Sequence, residues 1–124
     1  QFKRMKNMME SKTVLFAFRG DPMCFVHVLL NGIDLNERDQ EGLIIIEGDA
    51  VTLVPEMARP GHFLSDLFQK AKNLNILHGA CKACSTKLKV TEAVQKAGIP
   101  LIGDMSGHPS MGGFIKNGYR IITF

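Results

Sequence analysis

The sequence has no tryptophan, a single tyrosine (Tyr119) and only three cysteines among its 124 residues. A small, odd cysteine count, with Cys81 and Cys84 in Cys-x-x-Cys spacing, argues against a disulfide framework and fits a reducing cytosol. No apolar run approaches the ~18 residues that a membrane span requires. Val14 to Phe18 and Leu43 to Ile46 are strand-length only. No secretory h-region leads the chain, so export is not expected and the predicted location is cytoplasmic. The glycine-rich nucleotide fingerprints are absent, and Ser106 does not sit in a nucleophile elbow, which disfavours a hydrolase triad. No cofactor is implied. The net charge is +3, much of it in Lys3, Arg4, Lys6 and Lys12. A basic leading segment without a nucleic-acid motif reads as solvated, so no nucleic-acid partner is expected.

What is present alternates between strand and helix. Residues 1–12, with Met5, Met8 and Met9, are expected to form an arm outside the core, and residues 13–124 a single domain. Thr13 to Phe18 is apolar throughout, as in a strand buried on both faces. Asp21-Pro22 then starts a helix, with Asp as N-cap and Pro at the first helical position. That helix is expected to reach about Arg38 and to carry Met23, Val26, His27, Leu30 and Ile33 on one face. Leu43 to Ile46 is a second strand. Ala50, Leu53, Val54 and Met57 follow at helical spacing, then a longer stripe of Phe63, Leu64, Leu67, Phe68, Ala71 and Leu74. Leu74 to Leu77 reads as a third strand. Thr91 is the expected N-cap of a helix closed by Gly98, Ile99 to Ile102 a fourth strand, and Tyr119 to Phe124 a fifth after a short helix opened by Pro109 or Ser110. This order predicts an α/β domain whose mostly parallel sheet is covered on both faces.

Ligands and chemistry gather beyond the carboxyl ends of such strands. Four connections there pair glycine with reactive side chains: Arg19-Gly20-Asp21, Glu47-Gly48-Asp49, the segment His78 to Ser85, and Asp104 to His108. One site on that rim is the economical expectation. Gly20-Asp21-Pro22 at a helix start offers only a weak anion-binding signal.

Cys81 and Cys84 admit four readings. A dithiol redox pair wants its first cysteine at a helix N-terminus, where unsatisfied N–H groups favour thiolate, and Lys82 and Lys87 would add to that bias. The flanks lack the Trp and Pro pattern of thioredoxins. A metal site would draw on His78, Cys81, Cys84 and His108, a set that tetrahedral zinc accepts. A sulfur carrier needs little more than one accessible thiol. Finally, both cysteines would also pack a tight turn. Cys24, among apolar neighbours, reads as buried, and His27 and His62 as structural or exposed. His108 is the best candidate for a functional histidine, with a loop-closing bond to Asp104 or Ser106 as the alternative.

Several stretches resemble the DsrE/DsrF-like proteins of the sulfur-relay superfamily. They are Phe16 to Pro22, His27 to Asn31, Ile45 to Gly48, Gly79 to Ser85, Gly103 to Pro109 and Tyr119 to Phe124, so the likeness runs from about Thr13 to Phe124. The resemblance is nearest to a branch of small, uncharacterised cytoplasmic members. It implies a three-layer α/β/α fold with a five-stranded sheet, frequent homo-oligomers, and in some members a persulfide-carrying cysteine after the third strand, which falls on Cys81. Cys84 departs from the sulfur-relay members and would let a persulfide collapse to a disulfide with release of sulfide. The expected function is cytosolic sulfur transfer between donor and acceptor proteins through Cys81, with Cys84 resolving or sharing the sulfur and His108 with Asp104 tuning protonation. The alternative is a non-catalytic, oligomeric module that binds a metal or small ligand.

Overall fold

The structure, a computed structural model, describes residues 11–124. The expected arm therefore lies outside the described residues, apart from Ser11 and Lys12, and Lys12 already opens the first strand. Five strands form one all-parallel sheet in the order β4-β3-β2-β1-β5: β1 Lys12–Ala17, β2 Glu41–Ile46, β3 Leu77–Cys81, β4 Leu101–Ile102 and β5 Tyr119–Thr123. The helices are α1 Pro22–Glu37, α2 Leu53–Met57, α3 Ser65–Asn73, α4 Lys82–Lys87, α5 Thr91–Lys96 and α6 Met111–Lys116, with a 3-10 turn at Gly48–Thr52. None of the described helices is long and apolar enough to cross a membrane.

Strand order explains where the helices lie. From β1 to β4 the chain steps across the sheet in one direction. Right-handed crossovers then put their helices on one face, over Leu15, Ala17, Ile44, Ile46 and Ala80. The last connection reverses to place β5 beside β1, so α6 falls on the other face, over Val14, Phe16 and Ile45. The α/β fold with helices on both faces is thus as expected, but the two outer layers are unequal.

Helix α1 begins as its sequence dictates. Asp21 accepts the Met23 N–H at 2.8 Å and Pro22 occupies the first turn. The buried face, however, is Phe25, Val28, Leu29, Gly32 and Ile33, while Met23 and Leu30 are exposed. Gly32 decides this rotation. A Cβ there would lie 2.8 Å from Ile44 Cδ1, so the helix presses its smallest residue onto β2. His27 consequently faces solvent.

The third strand lies later than the apolar run Leu74 to Leu77 suggests. Leu74 caps α3, and Asn75 turns through the left-handed region at φ 62°. β3 then contains one residue more than its partner: Ile44 faces Leu77 and Ile45 faces Gly79, leaving His78 as the extra residue of a bulge. Gly79 is required there because a Cβ would come within 2.2 Å of Ile102 Cδ1 and 3.2 Å of the Pro100 carbonyl oxygen. Two other boundaries differ: Val90, not Thr91, is the N-cap of α5, and β4 is only Leu101–Ile102.

Two outcomes follow for stability. Gly79→Ala should lower the unfolding free energy by about 1–3 kcal/mol through overpacking between β3 and β4, measured by chemical denaturation; an unchanged midpoint would show that Ile102 gives way freely. At the opposite edge, the Tyr119 hydroxyl donates to Glu41. Burial, then that bond and the Glu41 charge, push the Tyr119 phenol up to about 12. The unfolded phenol ionises near pH 10, so above that pH the native state binds more protons than the unfolded state. Stability should therefore fall from about pH 10 to 12 more steeply in the wild type than in Tyr119→Phe.

Candidate functional site

Parallel pairing of Ile46 with Ala80 puts the next residues, Glu47 just past β2 and Cys81 at the end of β3, side by side at the carboxyl edge of the sheet. Cys81 is the N-cap of α4, in extended conformation, and its Sγ accepts the Cys84 N–H at 3.3 Å. One helical turn on, Cys84 Sγ accepts the Gly48 N–H, also at 3.3 Å. Gly48 adopts φ 54°, and a Cβ there would stand 3.0 Å from the Phe18 carbonyl oxygen; glycine lets the chain fold back over the cysteines.

His108 arrives from the connection after β4. Met105 and His108 exchange backbone hydrogen bonds of 2.8 and 2.9 Å around a two-residue turn in which Ser106 (φ 51°) and Gly107 (φ 91°) both lie in the left-handed region. The Ala83 N–H, donating to the Gly107 carbonyl at 2.8 Å, pins this hairpin to the start of α4. His108 Nδ1 then lies 3.2 Å from Cys81 Sγ, 3.9 Å from Cys84 Sγ and 3.8 Å from Glu47 Oε2. One potential ligand atom from each of these four residues lies within 4.8 Å of the other three.

The two thiols are not equivalent. Cys81 is fully buried, whereas Cys84 is half-buried. Burial, reinforced by its hydrogen bond with the Cys84 side chain, pushes the Cys81 thiol up to about 12, against the pull of the Cys84 N–H. The expected thiolate bias at the start of α4 is thus outweighed at Cys81. The Ala83 and Cys84 N–H groups are already occupied, and Lys82 is exposed, its stem lying toward Gly103. Glu47, 8% exposed, is also raised above the usual carboxylate range by burial, with His108 opposing the shift.

Cys81, Cys84 and His108 are brought together as the sequence suggests; Asp104 and His78 are not. Asp104 is exposed, and its carboxylate accepts the Ser110 N–H at 3.1 Å, closing the loop before α6. The carboxylate beside His108 is Glu47. His78, the extra residue of the bulge, is exposed and meets the Phe114 ring edge-on at 5.7 Å. Cys24 stays half-buried in the first turn of α1, outside the cluster. The signal for Glu47 was its place after β2, on the same rim as the cysteines, but nothing in the sequence distinguished it from Asp49 or Asp104.

No protein-family model matches the chain. An uncharacterized protein of Methanocaldococcus jannaschii is 34% identical over 97 residues, covering 78% of this chain and 77% of the archaeal one. An uncharacterized protein of Archaeoglobus fulgidus is 41% identical over 58 residues, or 47% of this chain and 93% of that protein. Among solved structures, a conserved protein of unknown function from Bacteroides thetaiotaomicron superposes with a TM-score of 0.69 over 91% of this chain and 95% of its own. Its identity is 17%, so that likeness concerns the fold alone. The extent and identity of the archaeal match place this chain in the same family as the uncharacterized Methanocaldococcus jannaschii protein.

Proposed function

We propose that the chain is a cytosolic sulfur-transfer protein of the DsrE/DsrF-like type, working through the Cys81–Cys84 dithiol. The observation that carries this reading is the clustering of both sulfurs around one imidazole nitrogen, at 3.2 and 3.9 Å, on the carboxyl rim of the sheet. Exposure orders the two thiols. Cys84, the half-buried one, receives the sulfur, and the fully buried Cys81 resolves it, the reverse of the roles that the resemblance implied.

In the first step, the Cys84 thiolate attacks the outer sulfur of a donor persulfide. A new S–S bond forms on Cys84, the donor's S–S bond breaks, and the donor thiolate leaves with the electron pair. An acceptor thiolate then attacks the outer sulfur of the Cys84 persulfide and carries it away. If no acceptor is present, Cys81 attacks Cys84 Sγ instead. The Cys81–Cys84 disulfide forms, hydrosulfide leaves, and an external thiol is needed to restore the pair. His108 Nδ1, within reach of both sulfurs, is the group placed to take the proton as each thiol becomes nucleophilic.

Intact mass after treatment with a sulfane-sulfur donor tests this assignment. Wild-type protein should release sulfide and lose two hydrogens as the disulfide forms. Cys81→Ser should hold one added sulfur, and Cys84→Ser none. Sulfur retained by Cys84→Ser and absent from Cys81→Ser would reverse the assignment of roles. No sulfur gain in any form, with no sulfide released, would remove the function.

A further inference from the structure

We infer that Glu47, Cys81, Cys84 and His108 form a four-coordinate site for a zinc-type divalent cation. The inference stands apart from the sulfur-transfer reading, because it rests on donor geometry and on Glu47, which that chemistry does not use.

A tetrahedral zinc ion bonded to two thiolates, an imidazole nitrogen and a carboxylate oxygen sets the edges between its ligand atoms at about 3.4–3.8 Å. The edges from His108 Nδ1 here are 3.2 Å to Cys81 Sγ, 3.9 Å to Cys84 Sγ and 3.8 Å to Glu47 Oε2. These three edges lie within a few tenths of an ångström of the requirement, and with all four donor atoms inside 4.8 Å of one another an ion would draw the remaining edges in by up to about 1 Å. Two sulfurs and an imidazole select a softer metal than magnesium or calcium, which take oxygen ligands.

The surroundings suit charged sulfur. Backbone N–H groups of Gly48 and Cys84 already point at Cys84 Sγ and Cys81 Sγ, each at 3.3 Å, as the outer shell of a thiolate site requires. Glu47 is the one acidic or basic side chain in the buried class among the described residues. A cation would place a positive charge in direct contact with that carboxylate, closer than the imidazole nitrogen 3.8 Å away. Glu47 comes from the connection after β2, Cys81 and Cys84 from the junction of β3 with α4, and His108 from the connection after β4, so an ion would cross-link three separate segments. All four tetrahedral positions are filled by protein, the arrangement of a closed structural centre. An ion and a persulfide on the same sulfurs exclude each other.

Cobalt(II) titration of the reduced, chelator-treated full chain, with no sulfur donor present, tests the site. One equivalent should bind, with the intense visible bands of tetrahedral cobalt and a thiolate-to-cobalt charge-transfer band in the near ultraviolet, and one equivalent of zinc should displace it. Zinc should also raise the thermal midpoint of unfolding, and a chelator should lower it again. Glu47→Gln and His108→Asn should each weaken cobalt binding at least about tenfold, since even changes outside the ligand shell cost 10–100-fold. His78→Ala and Cys24→Ser should leave it unchanged. A folded wild-type chain that binds no cobalt, or binds it with only the weak bands of octahedral coordination, overturns the proposal whatever the variants do. So does an affinity that falls in His78→Ala and holds in Glu47→Gln.

Discussion

The site depends on one pairing in the sheet. With Ile46 opposite Ala80, the chain must deliver Glu47 and Cys81 to adjacent positions, and with Cys81 opposite Ile102 the connection after β4 must start beside them. A parallel sheet sends all its carboxyl ends the same way, so side chains that are distant in sequence meet without any long loop. The bulge at His78 sets this alignment. Without the extra residue, β3 would leave the sheet one position out of step, and its side chains would change faces.

Two opposing demands meet at Cys81. Its position as cap of α4 supplies an N–H hydrogen bond that favours a charged sulfur, but its burial removes the water that would solvate that charge. The outcome is an inner thiol that keeps its proton and an outer thiol, on Cys84, that meets both solvent and His108. Sulfur chemistry and metal binding resolve the tension differently. A carrier uses the outer thiol and holds the inner one in reserve. A bound cation would pay the desolvation cost of both sulfurs and of Glu47 at once.

Where structure and sequence pattern part, the cause is packing that local pattern does not encode. Of the apolar stripe expected on α1, Ile33 is buried and Val26 half-buried against the core, but Met23 and Leu30 are exposed, because periodicity reports that a face exists and not which of two neighbouring faces finds a partner. Gly32, which carries no hydropathy signal, sets that choice by close contact with Ile44. His78 and Asp104 stood at the expected rim by sequence distance, yet each was turned away by a local backbone feature: a bulge for the first, a loop-closing hydrogen bond to Ser110 for the second. Glu47 was visible as a rim residue and silent as to role.

The sequence by itself determined the alternation of strand and helix, the start of α1 at Asp21-Pro22, and the place of the Cys81–Cys84 pair where a strand gives way to a helix. These are local matters of periodicity, capping and spacing, decided within a few residues of chain. Strand order, the unequal outer layers, the burial that separates Cys81 from Cys84, and the choice of Glu47 over Asp104 beside His108 were decided only by tertiary structure. Each depends on which segments pack together, and register and solvent exclusion are properties of that packing rather than of any one segment.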